Sequence, residues 1–343
     1  IPAAVSITTQ GETLTLADRS GEPLRPFLVW LDSRAENEAQ ALRSVLDNET
    51  FYKTTGLPEV TGALPLAKLL WLRKHEPDTF VRAHKLLLLE DYLLHWLTGR
   101  FVSEKSLQTS TGWFDLHSDG LWHSGLAAAG ASAELLPELL ECGAPAGSLL
   151  PGPAAELGLP PNIPVVAGAM DQTAAALAAG CTRPGTVTET TGTALVMAAC
   201  TDAPMFRSGH HVTVYRHALP GKYLYLPIGN TVGMALRWFR DEFCRDLPAG
   251  AAGYAALDAL VQSVPCGCDG LAFLPFLSGS VDPDACPEAR AVFFGARLST
   301  TRAHFARSVM ESVAFLLRDF FGMLNALGCP ADTMYSLGGG ARS

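Results

Sequence analysis

The chain has 343 residues, 48% of them hydrophobic and 17% charged, which suits two domains with buried cores and excludes a disordered polar chain. The formal net charge of −9, with no Lys/Arg block, argues against nucleic acid as the main partner, and no apolar run reaches the roughly 18 residues of a membrane span, since Leu86 to Leu97 is interrupted by Glu90, Asp91 and His95. None of the eight cysteines forms a Cys-x-x-Cys pair, so Cys266 and Cys268 are expected to be ordinary thiols in a protein of the reducing cytoplasm.

In chain order, Val5 to Ala17 predicts strand, loop and strand, and Pro26 to Leu31 a further apolar run. Ser33-Arg34-Ala35-Glu36 has the form of a capping box and opens a helix to about Leu46. Pro65 starts a helix with Leu66, Leu69, Leu70 and Trp71 on its buried face and Lys68 between them. Leu86 to Leu97 reads as a buried helix ending at Gly99, followed by a polar loop from Ser103 to Gly112. Residues 143 to 164 are loop-rich. Val165 to Gln172 then runs from an apolar strand through a turn at Gly168 to Asp171, where an alanine-rich helix to about Gly180 begins.

Beyond Gly180, Thr186 to Ala199 predicts a hairpin whose tip is Thr190-Thr191-Gly192-Thr193, and Tyr215 to Ile228 more strand. Asn230 is expected to cap a helix carrying Val232, Leu236, Phe239 and Phe243. Leu271 to Leu277 reads as a strand. The longest helix, Arg302 to Leu327, is stopped by Gly328 and Pro330, and a strand from Thr333 to Leu337 leads into Gly338-Gly339-Gly340. This mixture suggests an α/β protein of two domains, 1–180 and 181–343. Both ends read as cut from a longer chain.

No P-loop, Gly-x-Gly-x-x-Gly, Gly-x-Ser-x-Gly or His-Glu-x-x-His motif is present, and His210-His211, without flanking acids or thiols, reads as surface. Three features remain. Asp171 at a strand-to-helix corner serves equally well as a helix cap or as a base facing a ligand. The Thr-Thr-Gly-Thr tip offers hydroxyls and backbone N–H groups to an anion, although an ordinary threonine-rich turn is the plainer reading in isolation. The glycines at 338 to 340 let a backbone approach a ligand closely, or simply make a turn.

The set, in this order, resembles the FGGY carbohydrate kinases. Pro65-Leu66-Ala67-Lys68-Leu69-Leu70-Trp71-Leu72 looks like the first signature of that family, and Phe293-Phe294-Gly295 with His304-Phe305-Ala306-Arg307-Ser308-Val309-Met310-Glu311 like the second. Phe273 to Gly279 and Gly338 to Ser343 are also typical. The resemblance implies two actin-like, RNase H-like (ASKHA) domains with an interdomain cleft, both incomplete here, the first binding sugar and the second nucleotide. It implies ATP and Mg2+ as cofactors, a sugar or polyol as substrate, no nucleic-acid or membrane partner, and it admits a homodimer.

Residue by residue, it implies Asp171 as the general base. Gln10, Gly11, Glu12, Trp30 and Gln172 would face the sugar. Thr191, Gly192 and Thr193 would contact phosphate, and Gly233, Gly338, Gly339 and Gly340 would line the adenosine pocket. No metal ligand is assigned, because the family's amino-terminal Asp-x-Gly-Thr loop has no counterpart; the chain alone is expected to lack kinase activity. Ala63, Ala296 and Ser280-Val281 depart from the family pattern. Thr111 to Asp115 and the Phe273 to Gly295 region look like xylulokinases, whereas Gln10-Gly11-Glu12-Thr13 looks like glycerol kinases. A ketopentose such as xylulose is therefore the expected substrate, with glycerol, another polyol or a sugar acid as the alternative. A non-catalytic sugar or nucleotide sensor on the same scaffold is the alternative of another class, and a dehydrogenase using the glycine turn a remote third.

Overall fold

The computed structural model describes residues 2–207, 211–248, 250–282 and 286–342. The chain divides into two compact units, Ile1–Thr182 with Asp202–Leu224, and Arg183–Thr201 with Tyr225–Ser343. The return of 202–224 to the first unit is not contained in a single division near residue 180.

In the first unit, Val5–Ser6 pairs in parallel with Pro164–Val166, which pairs antiparallel with Pro145–Ser148. Leu14–Ala17, wholly buried, pairs antiparallel with Lys85–Leu88. The expected helix from Leu86 is therefore a strand for its first three residues, and the helix is Leu89–Thr98. The Asp91 carboxylate fixes this start by accepting the Leu88 N–H at 2.9 Å, and Gly99 closes the helix in the left-handed region at φ 75°. Helix Pro65–His75 has its proline in the first turn, and Lys68 is buried with the leucines.

Two further expectations are corrected here. Ser33 caps nothing: helix Glu36–Arg43 starts after Ala35 without a side-chain cap, and Glu36 instead accepts the Gly62 N–H and pairs with Arg43. The polar stretch from Ser103 is no surface loop. Val102–Glu104 is a strand paired with Glu138–Leu140, Lys105–Gln108 is a helical turn, and Ser103, Glu104, Ser106, Gln108, Thr109, Ser110 and Thr111 are all buried. Their polar atoms find partners inside the fold. Gln108 donates to Ser103 Oγ (2.8 Å) and accepts from the Trp113 indole (2.7 Å), while the hydroxyls of Thr109, Ser110 and Thr111 each return to a carbonyl three residues back.

Residues 202–224 are tied into this unit by the Val214 N–H on the Gly56 carbonyl (2.8 Å) and by Arg216, which meets Asp119 (2.6 Å) and Glu141 (3.2 Å). His210 lies outside the described residues. His211 is not plain surface: it is half-buried, 2.9 Å from Glu49 and packed on the Tyr52 ring.

In the second unit, Thr186–Thr191 and Leu195–Thr201 form the expected antiparallel hairpin, and Thr333–Gly338 adds in parallel beside its first strand. Helices Val232–Phe243, Ala251–Val261 and Arg302–Ala326 share a core of Ala235, Phe239, Leu257, Val261, Ala306 and Val309, closed by Phe273 from the strand Ala272–Leu274. Asn230 does not cap the first of these helices. Thr231 stands at that position, and its hydroxyl donates to the Pro275 carbonyl (3.0 Å) and accepts no helix N–H. All eight cysteines are free thiols.

Candidate active site

The first unit holds one buried lysine, Lys68, which feels the charges of Glu12 and Asp32, and the carboxyl of Asp171 acts on Glu12 in turn. Helix Asp171–Ala178 begins at Asp171, reached from Pro164–Val166 by the linker 167–170. The linker is held at each step. The Gly168 N–H donates to Glu90 (3.0 Å), the Met170 N–H to Glu104 (3.1 Å) and the Asp171 N–H to the Thr9 carbonyl (2.9 Å), while the Thr8 hydroxyl donates to the Ala169 carbonyl (2.7 Å). Asp171 is not a helix N-cap, since it is the first helical residue; its Oδ1 accepts the Gln172 N–H at 2.6 Å. Both side chains are exposed, and desolvation by neighbouring groups raises the Asp171 carboxyl above its ordinary range.

Glu12 belongs to the same neighbourhood. Its backbone sits at φ 64°, in the left-handed region, within the turn Gln10–Thr13. Burial pushes its carboxyl up to about 7, with Lys68 opposing and the charge of Asp171 adding to the shift. Lys68 donates to the carbonyls of Val29 (2.8 Å) and Glu12 (3.3 Å), and burial lowers its ammonium to about 8. The Thr13 hydroxyl oxygen accepts from Gln10 and from the Trp30 N–H, both at 3.1 Å, so these predicted residues share one anchor. The Trp30 side chain is half exposed, and Gly11 packs against Ser110 and Met170.

Tyr215 was missed by sequence reasoning, which took it for ordinary strand. Burial first, then the charges of Glu12 and Asp171, push its phenol far above the usual range. It arrives on the 202–224 return, which no local pattern announces.

The second unit contains a cavity of about 680 Å³ lined by Thr191, Gly192, Gly233, Gly339 and Gly340 among the predicted residues. Thr193 and Gly338 stand beside it: the Thr193 carbonyl accepts the Met234 N–H (3.1 Å), and Gly338 pairs with Thr191 in the sheet. The opposite wall, also missed, consists of Tyr254, Ala255 and Asp258 from helix Ala251–Val261 and Met310, Val313 and Leu317 from the long helix. Apolar side chains on one wall and glycine backbone with a threonine hydroxyl on the other suit a flat base joined to phosphates. Arg240 lies 4.6 Å over the Tyr254 ring and fixes it from behind. Glu189, buried in the cavity wall, accepts the Thr191 hydroxyl.

Among the described residues, no group of three His, Cys, Asp or Glu side chains is placed to hold a metal. A magnesium ion arriving with a nucleotide is held largely by phosphates and water, so it demands no such cage. No helix among the described residues is long and apolar enough to cross a membrane.

Residues 1–178 match the N-terminal domain of the FGGY family of carbohydrate kinases, and residues 187–343 match its C-terminal domain. The chain belongs to this family. It is 30% identical to the xylulose kinase of Escherichia coli (strain K12) over 99% of the chain and 68% of that protein, and 28% identical to the gluconokinase of Bacillus subtilis (strain 168) over 99% and 67%. The crystal structure of xylulose kinase from Rhodospirillum rubrum superposes with a TM-score of 0.92 at 33% identity, covering all of this chain and 68% of that one. The FGGY chain thus has the mixed α/β fold of two actin-like domains and is a carbohydrate kinase, of a family whose sugar kinases use ATP.

Proposed function

We propose that the enzyme phosphorylates an uncharged ketopentose, of which xylulose is the first candidate, with Asp171 as general base. The first unit would hold the sugar through Gln10, Gly11, Glu12, Trp30 and Gln172, and the second would hold ATP through Thr191, Gly192, Thr193, Gly233 and Gly338 to Gly340. The observation that carries this reading is a second carboxyl, Glu12, whose backbone carbonyl is held by the buried Lys68 and which lies close enough to Asp171 to feel its charge. Burial, opposed by Lys68 and with a smaller push from the charge of Asp171, raises Glu12 to about 7, so near neutral pH part of the population offers a protonated donor and part an acceptor. Such a pair suits the hydroxyls of a neutral sugar, whereas a sugar acid would add a further negative charge beside Asp171.

In the reaction, the Asp171 carboxylate takes the proton of the attacking hydroxyl as its oxygen bonds to the γ-phosphorus. The bond from that phosphorus to the bridging oxygen breaks, and ADP leaves with the electron pair. A carboxyl raised above its ordinary value is a stronger base than a free aspartate, and positioned proton transfer of this kind contributes roughly 10²- to 10⁴-fold. Bound magnesium would offset phosphate charge.

The test uses the complete reading frame that carries this chain. ADP release is measured over pentuloses, polyols and sugar acids, with and without Asp171→Asn. Turnover highest on a pentulose and lost in the variant is expected. Preference for gluconate, in line with the gluconokinase relative, would overturn the substrate assignment. Turnover that survives Asp171→Asn would remove the base, and sugar binding without turnover in either form would favour a sensor.

A further inference from the structure

We infer that Glu104 is a positioning residue for Asp171, acting through the backbone amide immediately before it. This rests on Asp171 being the base. Glu104 ends the strand Val102–Glu104, is fully buried, and five donors converge on its two oxygens. Oε2 accepts from the Ser106 N–H (2.5 Å) and the Cys142 thiol (2.9 Å). Oε1 accepts from the Leu107 N–H (2.6 Å), the Ser106 hydroxyl (2.9 Å) and the Met170 N–H (3.1 Å).

Four of these contacts are near in sequence or lie beside the strand, and they describe a carboxylate capping the short turn Lys105–Gln108. The fifth does something else. Met170 is 66 residues away, and its amide is the last before Asp171, in a linker with no regular structure of its own. The Ser106 hydroxyl oxygen stands 3.1 Å from the same amide, and the next turn is tied in by the Thr173 hydroxyl on the Met170 carbonyl (2.8 Å). Without an acceptor at Glu104 Oε1, the Ala169–Met170 peptide keeps only the Ser106 hydroxyl oxygen at its N–H and the Thr8 hydroxyl at its carbonyl, and the segment leading into Asp171 is held less firmly.

The cluster is built for a carboxylate here. Every group hydrogen-bonded to Glu104 is a donor, so an amide in its place would set an NH2 against N–H, O–H or S–H on one side. Glu90 and Asp91 are the charged neighbours. Glu90, which holds Gly168, is kept well above the ordinary carboxylate range by burial and by the charges of Glu104 and Asp91, and among the described residues its Oε2 has no partner. Burial raises Glu104 as well, but there the hydrogen bonds from Cys142, Ser106 and Leu107 oppose the shift and favour its charged form, whereas Glu90 has only the Gly168 N–H to do so.

The test is Glu104→Gln in the complete reading frame, compared with Cys142→Ala, which removes a donor from the oxygen that does not touch Met170. Misplacement of a reacting group by about 1 Å can cost roughly 10²-fold. We therefore expect Glu104→Gln to lower kcat 10- to 100-fold per folded molecule, with KM for sugar and for ATP changed less than about 2-fold. Cys142→Ala is expected to lower Tm only. Unchanged kcat in Glu104→Gln, or an equal loss in Cys142→Ala, overturns the assignment and leaves Glu104 a cap. Should Glu104→Gln not fold, Ser106→Ala removes the second acceptor at the Met170 amide; a lower kcat at constant KM supports the proposal and an unchanged kcat overturns it. Asp171→Asn in the same assay separates the two claims. Full turnover there sinks the base, whereas a dead Asp171→Asn beside an unaffected Glu104→Gln sinks only the positioning.

Discussion

Gly192 and Gly233 line one cavity, and the same methyl group added to each has different consequences. A Cβ on Gly233 would lie 1.7 Å from the Gly192 carbonyl oxygen and 2.7 Å from its carbon, both backbone atoms that no rotamer change can move. To restore even a tight contact of 3.0 Å, the turn and the start of helix Val232–Phe243 must separate by roughly 1.3 Å. Overpacking of this kind costs roughly 1–3 kcal/mol of stability. It also shifts the Thr191–Thr193 tip against the helix, and a displacement of about 1 Å in a binding site can cost roughly 10²-fold. A Cβ on Gly192 meets nothing within 4 Å, so Gly192→Ala is expected to leave the fold unchanged while placing a methyl where a phosphate oxygen must approach the backbone. Urea unfolding and titration with a fluorescent ATP analogue separate the two. Gly233→Ala should lose both stability and nucleotide affinity, and Gly192→Ala affinity alone. Unchanged stability in Gly233→Ala would refute the packing argument, and full affinity in Gly192→Ala would refute Gly192 as a phosphate contact.

Lys68→Met leaves the carbonyls of Glu12 and Val29 without their buried donor and removes the cation that opposes the upward shift of Glu12. At roughly 1–3 kcal/mol for each group left unpaired, the two together should cost about 2–6 kcal/mol in urea unfolding, toward the lower end because both bonds are only part-buried, and a loss under about 1 kcal/mol would show that the carbonyls find other partners. A pH effect follows from Glu12, Asp91 and Asp282, all raised to about 7 chiefly by burial. Folded pKa values above unfolded ones mean that this stability is complete below the unfolded values and is lost as pH rises through about 7. The chain should therefore resist urea better at pH 5.5 than at pH 8. Asp282, raised from 3.8 to about 7, accounts for on the order of 2 kcal/mol of this difference, since about 1.5 units at ~1.36 kcal/mol per unit lie between pH 5.5 and its folded value, and Asp282→Asn should flatten the dependence by that amount. An unchanged slope would mean that Asp282 is ionised in the folded protein.

The sequence was most informative where backbone geometry restricts residue choice. The hairpin tip at Gly192, the helix stops at Gly99 and Gly328 and the corner at Gly168 all lie where small residues interrupt an apolar pattern. It misled where burial and polarity part company. Leu86 to Leu88 are buried in a strand, and an apolar run buried on all sides has no period to tell strand from helix. Ser103 to Thr111 read as a loop because their polarity is local, whereas the atoms that satisfy it include Trp113 and Met170. Helix Ala251–Val261, which supplies Tyr254 and Asp258 to the cavity, went unread because its alanines carry little contrast between faces.

Both candidate sites rest on the same device, a glycine where a strand or turn meets the start of a helix. A Cβ on Gly168 would stand 1.6 Å from the Ile7 carbonyl oxygen, and one on Gly233 stands 1.7 Å from that of Gly192. In each case one main chain lies directly on another, so the position of the helix start is set by peptide planes rather than by side chains that repack. That explains why the short glycine motifs carried more information about function than the long apolar helices. It also explains why Asp171 can be exposed and still be held in place: its own side chain has only a local contact with the Gln172 N–H, and its aim is fixed by the amides of 168, 170 and 171, each donating to an acceptor on another element of the first unit.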